Sequence, residues 1–140
     1  MQITRIFHSG FLVETAKRYF IFDYYKGELP KLNPDKPVYV FASHGHQDHY
    51  EPKVLELLKQ QGIVPKLAIL AKDIKEKKYP DGIPVLKAGF NAHYEIEADF
   101  LVDTFHSTDA GVAYLVTCGE GKIYHAGDLH DWVFDSASER

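Results

Sequence analysis

A single cysteine stands in the 140 residues, so no internal disulfide can form. Cys118 lies inside the apolar run GVAYLVTC, where a buried, inert thiol is expected, and no basic residue stands beside it in sequence to activate it as a nucleophile. A reducing, cytoplasmic compartment follows as the expectation. Long hydrophobic runs are also missing: nothing approaches the roughly 20 apolar residues of a membrane span. The opening MQITRIFHSG has neither the apolar stretch nor the small-residue cleavage site of a secretory signal. No run of five like charges occurs, and 16 Lys+Arg against 20 Asp+Glu leave a formal net charge of -4, which argues against a nucleic-acid or acidic-membrane footprint. No internal repeat, low-complexity tract or linker divides the chain. A chain of this length buries roughly two-thirds of its unfolded surface, enough for one core, so one domain over residues 1–140 is expected. Absent too are a Ser-His-Asp triad, a Cys-His pair and a Gly-rich phosphate loop.

What is present is an ordinary globular composition, 45% hydrophobic, 14% aromatic and 26% charged. Short runs rich in β-branched and aromatic residues predict strands at Ile3 to Phe7, Phe11 to Glu14, Arg18 to Asp23, Val38 to Ala42, Lys66 to Ala71, Ala92 to Ile96, Phe100 to Phe105, Val112 to Cys118 and Lys122 to His125. Ser9-Gly10, Pro34-Asp35, Asp81-Gly82 and Ala88-Gly89 mark turns, and Gly119-Glu120-Gly121 predicts a hairpin between the last two of these strands. In EPKVLELLKQQG, Val54, Leu55, Leu57 and Leu58 share a helical face, Pro52 suits the first turn and Gly62 the residue past the end. Lys72 to Lys78 is a weaker helical stretch, with Asp73 near its start, whose KEKK segment has little to bury and reads better as a solvated face. The class is α+β, with an antiparallel or mixed sheet backed by helices.

The chemistry concentrates where strand Val38 to Ala42 runs into Ser43-His44-Gly45-His46-Gln47-Asp48-His49-Tyr50. Imidazoles and carboxylates are the donors that bind zinc, manganese and iron. In extended chain His44 and His46 project to one side, while a first helical turn brings His46 and His49 together at i, i+3. Gly45 removes a side chain that would crowd an ion. With 8 His and 11 Asp in the chain, H-x-H-x-D-H arises by chance roughly 0.002 times. Solvated histidines in a polar loop are the bland alternative, and unmetallated clustered imidazoles would repel one another on protonation with nothing in return.

SHGHQDHY resembles the H-x-H-x-D-H signature of the metallo-β-lactamase superfamily of binuclear metallohydrolases, and other segments agree in order: Asp23 ending YFIFD, His106 after FLVDTF, and Asp128 in YHAGD. The opening IFHSGFLVE together with YHAGD is most similar to small hydrolases near the ascorbate-6-phosphate lactonase branch. The resemblance covers nearly the whole chain. It implies an αββα sandwich, one metal on His44, His46 and His106, a second on Asp48 and His49, and Asp128 bridging them. It also implies that Asp23 braces the metal loop through hydrogen bonds rather than binding metal. With two divalent ions bound, expected to be Zn2+ with Mn2+ or Fe2+ open, a shared water becomes hydroxide near neutral pH. That hydroxide attacks a small ester, lactone or phosphorylated metabolite, with Asp128 and Asp48 as the catalytic carboxylates and Asp128 orienting the nucleophile or passing its proton to the leaving group.

One departure stands against this. The superfamily supplies a further histidine to the second metal from a later strand, whereas 12 residues follow Asp128 here and His130 is the only histidine among them. His130 suits the pocket rim better than that ligand position. The sandwich is then expected to be incomplete in its C-terminal half, leaving apolar sheet surface bare. A truncated form, a homodimer completing the fold, and a minimal variant are the three explanations, with truncation favoured. The competing functional class is a non-catalytic metal-binding domain or inactive fragment. His8 and Tyr50, with His130, are the further substrate-side candidates; Tyr24, Tyr25, Ser107, Thr108 and Asp109 are open between pocket lining and ordinary packing or turns. His93 and His125 fall on strands and read as structural, and Trp132 and Phe134 as groups that pack against the missing half.

Overall fold

The computed structural model describes residues 1–7, 10–25, 27–43, 52–106, 111–125 and 132–135. Six strands form the first sheet: β1 (Gln2–Phe7), β2 (Gly10–Glu14), β3 (Tyr19–Phe22), β4 (Val38–Ala42), β5 (Leu67–Ala71) and β6 (Val85–Ala88), in that spatial order. The first three pair antiparallel; β3 through β6 are parallel. The second sheet is antiparallel throughout, in the order β11-β10-β9-β8-β7, from β7 (His93–Glu97), β8 (Phe100–His106), β9 (Val112–Cys118), β10 (Gly121–His125) and β11 (Trp132–Asp135). The expected Gly119–Gly121 hairpin joins β9 to β10, with Gly121 opposite Cys118.

Period-two alternation sorts the side chains of the first sheet. Val13, Phe20, Phe22, Tyr39 and Phe41 face the second sheet and meet Phe100, Val102, Val112, Tyr114, Val116 and Ile123 in one apolar core. Aromatic edges knit it: Phe20 and Tyr39 lie 5.2 and 4.8 Å from the Phe100 ring, and Phe41 lies 5.2 Å from Tyr114. The alternate residues Leu12, Tyr19, Ile21, Val38 and Val40 face the other way, onto Val54 and Leu58 of the helix α1 (Lys53–Gln60).

Helix α1 is shorter at both ends than the EPKVLELLKQQG pattern. It stops where Gly62, at φ +76°, enters the left-handed region. There Gly62 N donates to Lys59 O and Ile63 N to Leu58 O, both at 2.9 Å, while Ile63 folds back into the cluster containing Leu58. This is a Schellman termination, which a Cβ would strain. The weaker Lys72–Lys78 stretch yields only a single 3-10 turn, Glu76–Lys78, with nothing buried. Strands β6 and β11 were not expected from sequence. Among the described residues no helix lies over the outer face of the second sheet, where Leu101, Phe105, Leu115 and Tyr124 alternate with the core; Phe105 is 41% exposed. No described helix is long and apolar enough to cross a membrane.

One end of the two-sheet core is closed by charge. Arg18, just before β3, is 7% exposed at its side chain and reaches Glu97 Oε1 and Asp99 Oδ1 at 2.6 Å, both at the β7–β8 turn. Lys66 Nζ and the Tyr39 hydroxyl join Glu97 Oε2 at 2.8 and 3.1 Å. Hydrogen bonds from Lys66 and then Arg18 hold the Glu97 carboxyl at about 2, and Arg18 holds Asp99 at about 2.

Candidate functional site

Asp23 is the first residue past β3, and the chain turns there at φ +48°, a left-handed conformation that Asp tolerates better than most residues. The turn sends its side chain inward, 1% exposed. Oδ1 accepts from Ser43 N at 2.7 Å and Oδ2 from Ser43 Oγ at 2.6 Å, the short contacts of charge-assisted bonds. Ser43 is fully buried and immediately precedes His44 in the chain. The carboxylate thus fixes the backbone from which H-x-H-x-D-H departs, because both donors of the last described residue before it are committed to one group.

The same residue is held from the other sheet. Val112 N, at the start of β9, donates to Ser43 O at 2.9 Å, and Val112 is the register partner of His106 across β8–β9. Tyr114 sends its hydroxyl to Ala42 O at 2.8 Å; burial, then the nearby Asp23 carboxylate, pushes its phenol well above the ordinary range. His106 is exposed at the end of β8, its ring 4.4 Å from that of Phe90. Two segments widely separated in sequence, one entering the histidine-rich loop and one carrying His106, therefore meet through a single peptide group at Ser43.

His125 belongs to this arrangement although its strand position suggested a purely structural residue. It ends β10, three residues before Asp128, and is 2% exposed. Its Nε2 lies 3.8 Å from Asp23 Oδ2, and its ring stacks on Phe22 at 5.1 Å with Phe11 edge-on at 6.3 Å. The ends of β3, β4, β8, β9 and β10 converge on Asp23 and Ser43. Sequence offered no signal for the Asp23–His125 contact beyond both residues ending strands. His93, at the start of β7 and likewise read as structural, is half-exposed and pairs with Asp103. Tyr24 is packing rather than open surface: 3% exposed, it donates to Gly27 O at 2.7 Å and borders a cavity of about 480 Å³ against Lys53, Leu57 and Gln61 of the helix segment.

Of the expected site residues, the structure describes Asp23 and His106. His44, His46, Asp48, His49, Asp128, His8, Tyr50 and His130 lie outside the described residues, as do Ser107, Thr108 and Asp109. Among the described residues no three His, Cys, Asp or Glu side chains form a metal-binding group. The donor set nevertheless suits divalent cations. The strand ends that lead into H-x-H-x-D-H, that carry His106 and that lead toward Asp128 share one anchor, and the anchor is a buried carboxylate of the kind that orients ligand loops.

Comparison with known proteins gives a consistent picture. The profile of the Beta-lactamase superfamily domain matches residues 2–137. Two curated relatives are similar along 91% of the chain: a UPF0173 metal-dependent hydrolase of Korarchaeum cryptofilum, 27% identical, and one of Pyrobaculum arsenaticum, 26% identical. The alignments span 60% and 61% of those proteins, so the chain covers less than two-thirds of their length. Among solved structures, Igni18, a metallo hydrolase from Ignicoccus hospitalis, superposes with a TM-score of 0.63 at 17% identity, covering 89% of this chain and 59% of that one. That likeness is one of fold.

Proposed function

Since the chain belongs to the Beta-lactamase superfamily domain family, we propose that it is a metal-dependent hydrolase whose active site is built on the Asp23–Ser43 anchor. The observation that carries this is the junction at Ser43: its N–H and hydroxyl bind Asp23 while its carbonyl receives Val112, the partner of His106. A buried serine must satisfy its polar groups in any fold; what supports the reading is that its partners here are Asp23 and the strand paired with the one that ends at His106.

In this reading His44, His46 and His106 hold one divalent cation, Asp48 and His49 a second, and Asp128 serves both. The ions supply an activated water and polarise the oxygen under attack. The chain's own residues do the rest. Asp23 keeps the β4 end in place, His125 sits between Asp23 and the segment leading to Asp128, and Asp128 with Asp48 holds or passes the proton that the leaving group takes. His8, Tyr50 and His130 border the substrate. Zinc is the proposed metal, with manganese or iron accepted by the same donors. A small ester, lactone or phosphorylated metabolite is the proposed substrate class, after the resemblance to the ascorbate-6-phosphate lactonase branch. The finer fold reading, one αββα domain, assigns a second helical layer to the outer face bearing Leu101, Phe105, Leu115 and Tyr124.

Elemental analysis of protein dialysed at neutral pH, combined with a panel of esters, lactones and phosphate esters, tests this. Bound divalent metal and chelator-sensitive turnover, both lost in His46→Ala and His106→Ala, are expected. Turnover that survives chelation, or a His106→Ala protein with undiminished metal, would overturn the proposal.

A further inference from the structure

We propose that Lys72 is a substrate-recognition residue: its ammonium, held on the Phe90 ring beside His106, binds a phosphate or carboxylate group on the metabolite that is hydrolysed. The inference deepens the metal-dependent hydrolase reading and rests on it.

Lys72 is the first residue after β5, and β5 lies parallel to β4, whose own end leads through Ser43 into SHGHQDHY. Ligands of open parallel sheets bind outside the carboxyl ends of the strands, and Lys72 leaves the sheet at that edge. Its N–H donates to Ala88 O and Ile74 N donates to Ala71 O, both at 3.0 Å. This tight turn returns Ile74 to the core and leaves Lys72 exposed.

The ammonium lies 4.0 Å from the centre of the Phe90 ring, a close cation–aromatic contact. The same ring lies 4.4 Å from the His106 imidazole, so ammonium and imidazole cannot be further apart than those two distances together. The platform between them is fixed. Phe90 packs against the main apolar core, and its turn is tied to β8 by Thr104, two residues before His106. The Thr104 hydroxyl donates to Gly89 O at 2.6 Å and accepts from Ala92 N at 2.9 Å, while its N–H donates to Ala92 O at 2.8 Å.

The partner of Lys72 sets it apart from the other cations. Arg18 and Lys36 also lie over rings, at 5.1 and 5.2 Å, but Arg18 is bonded to Glu97 and Asp99 and Lys36 to Glu14. Lys17 and Lys66 meet Asp99 and Glu97. Among the described residues no carboxylate lies within ion-pair distance of Lys72. A carboxylate cancels much of the charge it holds, whereas a phenyl ring attracts an ammonium through its quadrupole and leaves the unit charge in place. Phe90 therefore positions Lys72 without neutralising it. In a chain of formal net charge -4, a positioned and uncompensated cation beside the site suits an anionic ligand, to which its N–H groups can make charge-assisted hydrogen bonds.

The test compares p-nitrophenyl succinate and p-nitrophenyl phosphonoacetate with the neutral p-nitrophenyl butyrate, in the zinc-loaded full chain and in Lys72→Met, Lys72→Arg, Lys75→Met and His106→Ala, each with its zinc content and thermal midpoint. The two anionic esters are expected to exceed butyrate in kcat/KM about three- to tenfold, and Lys72→Met to erase that advantage through KM, with kcat and the neutral ester within about twofold of the parent. Lys72→Arg, which keeps charge and ring contact, and Lys75→Met, an exposed lysine off the ring, are expected to retain it. Whichever anionic ester loses more in Lys72→Met identifies the group that is read. Titration calorimetry with succinate and phosphonoacetate reads the same contact without turnover, and binding about three- to tenfold weaker is expected in Lys72→Met. No anionic preference in the parent, a Lys72→Met loss shared by butyrate, an equal loss in Lys75→Met, or unchanged affinity for both anions would overturn the proposal. If Lys72→Met loses zinc or melts early, the lysine is a structural prop, which also overturns it with the site reading intact. Undiminished zinc in His106→Ala removes the site reading itself.

Discussion

Asp23→Ala is the substitution for which the structure gives the largest and most specific consequence. The change removes two acceptors at 2.7 and 2.6 Å from Ser43, in a place where neither residue is reached by solvent. Hydrogen bonds to a charged group contribute about 1.5–3 kcal/mol each, and the stranded donors keep their desolvation penalty. Alanine at φ +48° adds about 1 kcal/mol of backbone strain. A loss of about 4–7 kcal/mol results, a large part of a typical domain stability of about 5–15 kcal/mol. Asp23→Asn separates the causes: it tolerates the left-handed turn, its amide oxygen still accepts from Ser43 N, and its amide nitrogen turns the Ser43 hydroxyl into an acceptor. That variant should lose about 1–2 kcal/mol. Urea unfolding with unchanged slope is the assay, alongside Zn2+ affinity, which both variants should lower because Ser43 precedes the metal loop. An Asp23→Ala protein within 1 kcal/mol of the parent, or an asparagine variant as unstable as the alanine one, would refute the anchoring role.

Arg18→Met leaves Glu97 and Asp99 facing an apolar group where the guanidinium held both; the two carboxylates are 30% and 36% exposed, so water screens part of the loss and the thermal midpoint should fall by a few degrees, with Zn2+ affinity unchanged. Acid should weaken the same end: Glu97 and Asp99, held at about 2 against ordinary values of 4.5 and 3.8, stabilise the fold above those values. That contribution is lost as pH falls from about 4.5 to about 2, so urea midpoints should drop across the window, less steeply in Glu97→Gln. Tyr114→Phe removes the hydroxyl bond to Ala42 O and should cost about 1 kcal/mol in urea unfolding, with no other tyrosine substitution needed to see it.

The parts of this fold legible in sequence are those whose cause is local. Strands such as Tyr19–Phe22 and Val38–Ala42 announce themselves by aromatic and β-branched runs, and Pro52 and Gly62 bracket the helix because capping is decided within a few residues. β6 escaped notice because VLKA is four residues long, follows Pro84 and carries an exposed Lys87, so no alternation survives to mark it. Lys72–Lys78 failed as a helix for the converse reason: helical period without anything to bury. At the site, H-x-H-x-D-H is contiguous and therefore readable, whereas the Asp23–Ser43, Asp23–His125 and Phe90–His106 contacts depend on which strand ends the topology brings together. His125 reads as structural from its strand position and is buried as such a residue would be; the carboxylate beside it is revealed only by the way the ends of β3 and β10 face each other.

That topology also separates stability from chemistry along each strand. β3 begins beside Arg18 and leads into Asp23; β8 begins beside Asp99 and ends at His106. From Arg18 to Asp23 and from Asp99 to His106 the two ends are roughly 17–24 Å apart at 3.3–3.4 Å per residue. The ion network clamps the two sheets at one end, while at the other the buried carboxylate of Asp23 and the Ser43 backbone act over contact distances. A substitution at Arg18 should consequently move stability and leave metal binding alone, while His106→Ala, at an exposed strand end, should move metal binding more than stability. The contrast between those two variants, measured in the same pair of assays, is what a fold with its scaffold and its site at opposite strand ends requires.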